Sequence, residues 1–183
     1  VYMHFTPGSF FESMFAPKSI DLCFSHLSLY GMSTHPGVPL ENHLYVTLED
    51  ANTENGKIWL QQAAKDWENF VLNREKELKA GGRMHICLDI FHNDMPEHNK
   101  RTNQFLNVLP KQVLLKTLRK HGLEKYEMAV HLPLCLRMQE QYYEVFDNRK
   151  TNMQKVSWDF LDVSVPFYEK YQVTHDKRKL AQD

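Results

Sequence analysis

What most constrains this chain is an ordered series: a short apolar run, a long amphipathic segment, a glycine pair and a second apolar run. Ser19-Ile20-Asp21-Leu22-Cys23-Phe24-Ser25 is mostly apolar without strict alternation, the pattern of a strand covered on both faces. After a loop over 36–56, residues 57–79 place Leu60, Ala63, Ala64, Trp67, Phe70, Val71, Arg74 and Leu78 at three- and four-residue spacing. That spacing makes one buried helical stripe. Gly81-Gly82 reads as its C-terminal cap, and Met84 to Phe91 as a second buried strand. Two such strands joined by a helix lie parallel, with a right-handed crossover. The fold class is α/β.

The flanking segments read less sharply. Ser9 caps a short helix carrying Phe10, Phe11, Met14 and Phe15, which Pro17 ends. Residues 92–108 are polar and turn-rich, an exposed loop. Pro110 opens a helix to about His121, with Val113, Leu114, Leu115 and Leu118 inward and Gly122 as its stop. A strand over 126–132, a helix over 136–146 and a last strand over 156–165 follow, and 171–183 is a solvated tail.

Composition narrows the function classes. With 42% hydrophobic and 25% charged residues the chain is an ordinary globular one, read as a single domain over 1–183. Its 22 basic and 23 acidic residues balance to −1, so no field draws nucleic acid or an anionic membrane. No apolar run approaches the ~18–20 residues of a membrane helix, and the N-terminus lacks the marks of a signal peptide. Three cysteines (Cys23, Cys87, Cys135), each in apolar company, read as buried filler in a reducing, cytoplasmic setting. Asp89, His92, Asp94 and His98 read as a surface loop in preference to a metal cluster, so no metal is expected.

Chemistry is suggested where the first strand ends. Ser25-His26 stands where doubly wound sheets bind ligands, outside the carboxyl ends of their strands. Upstream, Gly8 permits close backbone approach and Phe10 offers a flat face to a heterocycle. At these residues the chain resembles the SABATH group of S-adenosylmethionine-dependent methyltransferases, which act on small-molecule carboxylates or ring nitrogens. Three blocks carry the resemblance. Pro7-Gly8-Ser9-Phe10-Phe11 with Met14-Phe15 is similar to the family's "PGSFY…LF". Ser19 to Ser33 is similar to "SLHFVHSSYSLHWLS". Phe70 to Leu78, running into Gly81-Gly82-Arg83-Met84, is similar to "FL..R..EL..GGRM". Order and spacing agree over residues 5–91.

The resemblance implies the C-terminal part of a Rossmann-like (class I) methyltransferase sheet, with helices on both faces and a helical element capping the substrate. It implies S-adenosylmethionine as cofactor, with Ser9 and Phe10 on its adenine side and Ser25 and His26 near the transferred methyl. Leu27, Tyr30 and Gly31 would face a small-molecule methyl acceptor. Two positions depart from the family: Gly31 stands where Trp is common, and Leu27 where Tyr is. Both losses remove polar anchors for an acceptor carboxylate. The Mg-linked "FN" segment of the family has no counterpart around Asp89 to Met95. No glycine-rich loop after a strand is present, nor the acidic residue that takes the ribose hydroxyls. The 183 residues are therefore expected to belong to a longer chain or to pair with the missing piece, and the chain could also form a homodimer. No residue is expected to act as catalyst on a carboxylate; His26 is the candidate base for a nitrogen or phenol. Two rivals stand beside this reading. One is a methyltransferase-like binding domain without turnover; the other, a nicotinamide-dependent oxidoreductase, would need an upstream Gly-x-Gly-x-x-Gly.

Overall fold

Helix α1 (Glu54–Glu77) is opened by Thr53, whose hydroxyl accepts the Gly56 N–H at 2.9 Å. The computed structural model describes residues 7–88, 90 and 97–160, apart from the side chains of 48–49 and 97–106. α1 begins three residues earlier than its apolar stripe suggests, because the cap residue lies outside the stripe. Of the predicted stripe Ala63, Trp67, Phe70, Val71 and Arg74 are buried, Leu60 is half-buried and Ala64 is exposed, and Trp59, Asp66 and Glu77 join the buried face.

Strand β1 (Ile20–His26) pairs in parallel with β2 (Leu78–Cys87), the pairing a helical crossover predicts. The register runs from Leu22 opposite Arg83 to His26 opposite Cys87. Ile20 lies opposite Leu78, so Lys79 to Gly82 bulge out against the single residue Asp21 of β1. Gly81 takes the left-handed region at φ 78°, and a Cβ on Gly82 would stand 2.9 Å from the Lys79 carbonyl and 3.2 Å from that of Ile20. The glycine pair thus builds a bulge inside β2, where a helix cap was expected. The cap is supplied by the chain itself: Lys18 and Ser19 donate their N–H groups to the carbonyls of Lys76 (3.0 Å) and Glu77 (2.8 Å).

On one face of this ribbon Cys23 is half-buried beside Arg74 and Glu77 of α1; burial pushes its thiol up, Arg74 opposing and Glu77 adding to the shift. The other face carries Leu22 and Phe24, 60% and 62% exposed. Helices on both faces were expected; among the described residues only the α1 side is covered.

The expected helix over 9–15 is a turn. Ser9 accepts from Phe11 and Glu12, but beyond that the backbone donors go elsewhere. Met14 and Phe15 donate to the Glu77 carboxylate (2.6 and 3.1 Å), and Arg74 donates to the carbonyls of Phe10 (2.9 Å) and Glu12 (2.8 Å). Partners supplied by α1 remove the need for intrahelical bonds.

The core beside α1 gathers Met32, Leu40, Val46, Trp59, Ala63 and Cys135. Helix α2 (Glu97–Lys120) holds the 40–45 loop with polar groups. Asn107 accepts from the N–H groups of Leu44 and Tyr45, and Lys111 donates to the carbonyls of Leu40 and Glu41. Its inward stripe is therefore Asn107, Lys111, Leu115 and Leu118, while Val113 (56%) and Leu114 (45%) face outward, against expectation. α2 also takes in much of the polar stretch expected as loop and carries Pro110 in its interior. The strand expected over 126–132 is not formed: Glu124–Val130 is a 3-10 helix. Helix α3 (Gln139–Asp147) sets Tyr142 edge-on to Trp67, ring centres 5.0 Å apart. Residues Gln154–Asp183 form a separate unit, whose described part, 154–160, has no regular element. The rest of the expected strand over 156–165 and the tail lie outside the described residues, as do Asp89, His92 and Asp94 and the side chain of His98.

Candidate functional site at the carboxyl end of β1

The chain leaves β1 through a strained turn. Leu27 donates its N–H to the Cys87 carbonyl at 2.8 Å, the last rung beside β2, and then adopts φ 52°. A γ-branched residue in that region is uncommon and is held there by its surroundings. Ser25 and Ser28 bring their hydroxyls to 2.9 Å across the turn. His26 is exposed and stacks on Phe24 at 6.4 Å, and Phe24 stacks on His85 at 5.3 Å, so three rings line the open face of the sheet. No carboxylate orients the His26 ring among the described residues.

Residues 29–33 then run along the 133–135 segment. Cys135 donates to the Tyr30 carbonyl (2.7 Å), Met32 to that of Pro133 (2.8 Å), and Gly31 bridges Leu134. Gly31 has no positive φ, and a Cβ there would meet only the Ser28 carbonyl, at 3.7 Å. Backbone sterics therefore do not demand glycine at this position; its effect is to leave space. Burial pushes the Cys135 thiol up to about 11, despite the opposing Arg137 charge.

Ser9 and Phe10 lie on the C-terminal half of α1. The Phe10 ring meets Phe11 at 4.4 Å and Phe70 edge-on at 6.4 Å. The expected site residues thus form two groups. Ser25, His26, Leu27, Tyr30 and Gly31 come together at the exit of β1, and Ser9 with Phe10 stand on α1 with different partners. Hydroxyls, imidazole and a ring face suit a nucleoside's polar and flat parts. Neither group supplies the amide cradle for an amino-acid moiety.

Sequence reading placed Arg74 in the buried stripe without its partners and missed the other buried polar residues that hold both groups, Asp66 and Glu77 on α1 and Arg137 before α3. Their signal was present, since a charge within an apolar stripe at helical spacing must find buried partners. Among the described residues no cluster of His, Cys, Asp and Glu could hold a metal ion, and no helix is long and apolar enough to cross a membrane.

Comparison with known families decides the affiliation. The model of the SAM-dependent carboxyl methyltransferases matches residues 1–159. The chain belongs to that family. S-Adenosylmethionine is accordingly the cofactor of its class, in line with the resemblance in the three sequence blocks. A curated relative, the salicylate/benzoate carboxyl methyltransferase of Arabidopsis thaliana, is 33% identical over 86 residues, 45% of this chain and 22% of that protein. The solved structure of a loganic acid methyltransferase with SAH matches with a TM-score of 0.64 at 22% identity, over 79% of this chain and 43% of its own. That likeness concerns the fold. The chain spans less than half the length of either methyltransferase.

Proposed function

We propose that residues 1–183 are the C-terminal portion of a methyltransferase domain that transfers a methyl group from S-adenosylmethionine to a small-molecule carboxylate or heteroatom. The observation that carries this reading is the family match over 1–159, and it is supported by a parallel β1–α1–β2 unit whose Ser25–Gly31 segment follows the carboxyl end of β1, the end at which such sheets generally bind ligands. In it, Ser9 and Phe10 receive the adenine side, and Ser25 and His26 stand near the transferred methyl. Leu27, Tyr30 and Gly31 face the acceptor. The bound cofactor would supply an electrophilic methyl; the chain's own residues bind, orient and exclude water.

An acceptor carboxylate is ionised at neutral pH and needs no base. A phenol or ring nitrogen would need one, and His26 is the residue placed for it. The relative's name makes an aryl carboxylate such as salicylate or benzoate the acceptor to try first. Space at Gly31 and the apolar Leu27 favour the ring of such an acid over its charge. Neither nucleic acid nor membrane enters this reading. Three cysteines without a disulfide favour the cytoplasm, and assembly as a homodimer accompanies the proposal. A second reading, a binding domain without turnover, is favoured by Gly31 and Leu27, which stand where polar anchors for the acceptor are common in the family.

The test is calorimetric titration of S-adenosylhomocysteine into these 183 residues and into the longest native polypeptide containing them. Labelled methyl transfer to salicylate and benzoate is followed alongside. Micromolar binding and transfer by the longer polypeptide is the expected result. Binding without transfer to a broad acceptor panel would establish the non-catalytic reading. Absence of binding by either sinks the methyltransferase assignment for this chain.

A further inference from the structure

We infer that Arg137 is a positioning residue for the acceptor wall, pinning residues 29–33 to helix α1; that this wall meets an acceptor rests on the function proposed above. Arg137 is 2% exposed. Its Nη1 donates to the Leu29 carbonyl at 2.8 Å and its Nη2 to the Ala63 carbonyl at 2.7 Å, and its guanidinium lies 5.7 Å from the centre of the Tyr142 ring. Among the described residues no carboxylate pairs with it, and its buried Nε has no acceptor.

Burying a guanidinium in this way is costly, and an apolar side chain of similar volume would fill the space at less cost. What such a side chain lacks is the rigid fork that reaches carbonyls on two elements at once. One of these, Leu29, lies three residues past the end of β1 and has no strand partner to fix it. The other, Ala63, is on α1. The far end of the same segment is tied to the same helix: Ser33 donates its N–H and hydroxyl to Asp66 at 2.8 and 2.6 Å. Ala63 and Asp66 are three apart and share one face of α1. Tyr30 and Gly31 are therefore held between two anchors of opposite charge on one rigid support. Misplacement by about 1 Å costs on the order of a hundredfold in rate where an acceptor must be aligned with a leaving methyl.

The experiment uses the longest native polypeptide containing these residues, unaltered and as Arg137→Met and Arg137→Lys. Hydrogen exchange is measured over 28–34, 133–137 and the α1 segment 66–72, together with S-adenosylhomocysteine affinity and KM and kcat for salicylate. Arg137→Met should speed exchange at 28–34 and at Cys135 about tenfold, the loss expected for one buried bond, with α1 unchanged. Its KM should rise about tenfold with cofactor affinity within about twofold, and Arg137→Lys should restore part of both. Uniform loosening of α1, or unchanged exchange at 28–34, overturns the inference while leaving the methyltransferase reading intact. No cofactor binding by the unaltered polypeptide overturns that reading and, with it, the acceptor role. The exchange pattern still decides the pinning.

Discussion

Replacing Glu77 with glutamine tests how the 9–15 loop is held. One carboxylate oxygen accepts from the Ser13 hydroxyl (3.0 Å), the Met14 N–H (2.6 Å), the Phe15 N–H (3.1 Å) and an Arg74 Nη (3.0 Å). The other stands 2.8 Å from Arg74 Nε, and Glu77 is 1% exposed. Glutamine keeps one oxygen for the two amides but loses the charge, and its NH2 then confronts the guanidinium. Removing one member of a buried pair costs roughly 3–5 kcal/mol; the retained oxygen returns part of that, so the expected loss at pH 7 is about 3 kcal/mol. Changing Arg74 and Glu77 together to methionine leaves no uncompensated charge but takes away the partners of the Met14 and Phe15 N–H groups and of the Phe10 and Glu12 carbonyls, so it should cost at least as much as Glu77→Gln.

The pH dependence carries a sign. Burial alone would raise the Glu77 carboxyl, but Arg74 and the Phe15 and Met14 amides outweigh it and hold it below its ordinary 4.5. Its contribution is therefore complete above pH 4.5 and is lost as pH falls through the lower folded value. Urea unfolding of the longest native polypeptide, followed by tryptophan fluorescence, should show the full gap to Glu77→Gln at pH 7 and a narrowing gap on acidification. A gap below about 1 kcal/mol, the worth of one ordinary hydrogen bond, or one that widens in acid, would refute the clamp.

Three further outcomes are expected. Gly56→Ala should destabilise by about 3 kcal/mol or more, since the new Cβ would lie 1.9 Å from the Asp50 carbonyl; thermal unfolding measures it, and a neutral result would contradict the packing at the start of α1. Leu27→Gly should stabilise by about 1 kcal/mol by relieving φ 52°, while weakening salicylate binding; a loss of stability would mean that the Leu27 side chain outweighs the strain. Cys135, fully buried with its thiol at about 11, should resist iodoacetamide at pH 8 long after half-buried Cys87 has reacted. Equal labelling, read by mass spectrometry, would place Cys135 nearer the surface.

The β1–α1–β2 unit was legible because its apolar spacing is long and its connection admits few topologies. What escaped reading was decided by partners distant in sequence. The 9–15 segment has the composition of a helix start, yet Arg74 and Glu77 take up its backbone groups across more than sixty positions. Gly81-Gly82 looks like a cap because caps are a common use of glycine, whereas here the helix end is closed by Lys18 and Ser19. In α2 the apolar residues misled, since Asn107 and Lys111 dock the helix while Val113 and Leu114 face outward. Ser25, His26, Leu27, Tyr30 and Gly31 fall together because β1 and its exit place them so. Phe10 stands apart on α1, where side-chain contacts that no local pattern encodes hold it.

Helix α1 holds the 10–15 loop through Arg74 and Glu77 and the 29–33 segment through Ala63 and Asp66. From Ala63 to Glu77 the helix rises by roughly 20 Å at 1.5 Å per residue. The two segments hang from one rod at a fixed spacing, so a displacement of the helix carries both with it, and the distance between the loop and the β1 exit is set by a length of backbone that neither segment contributes.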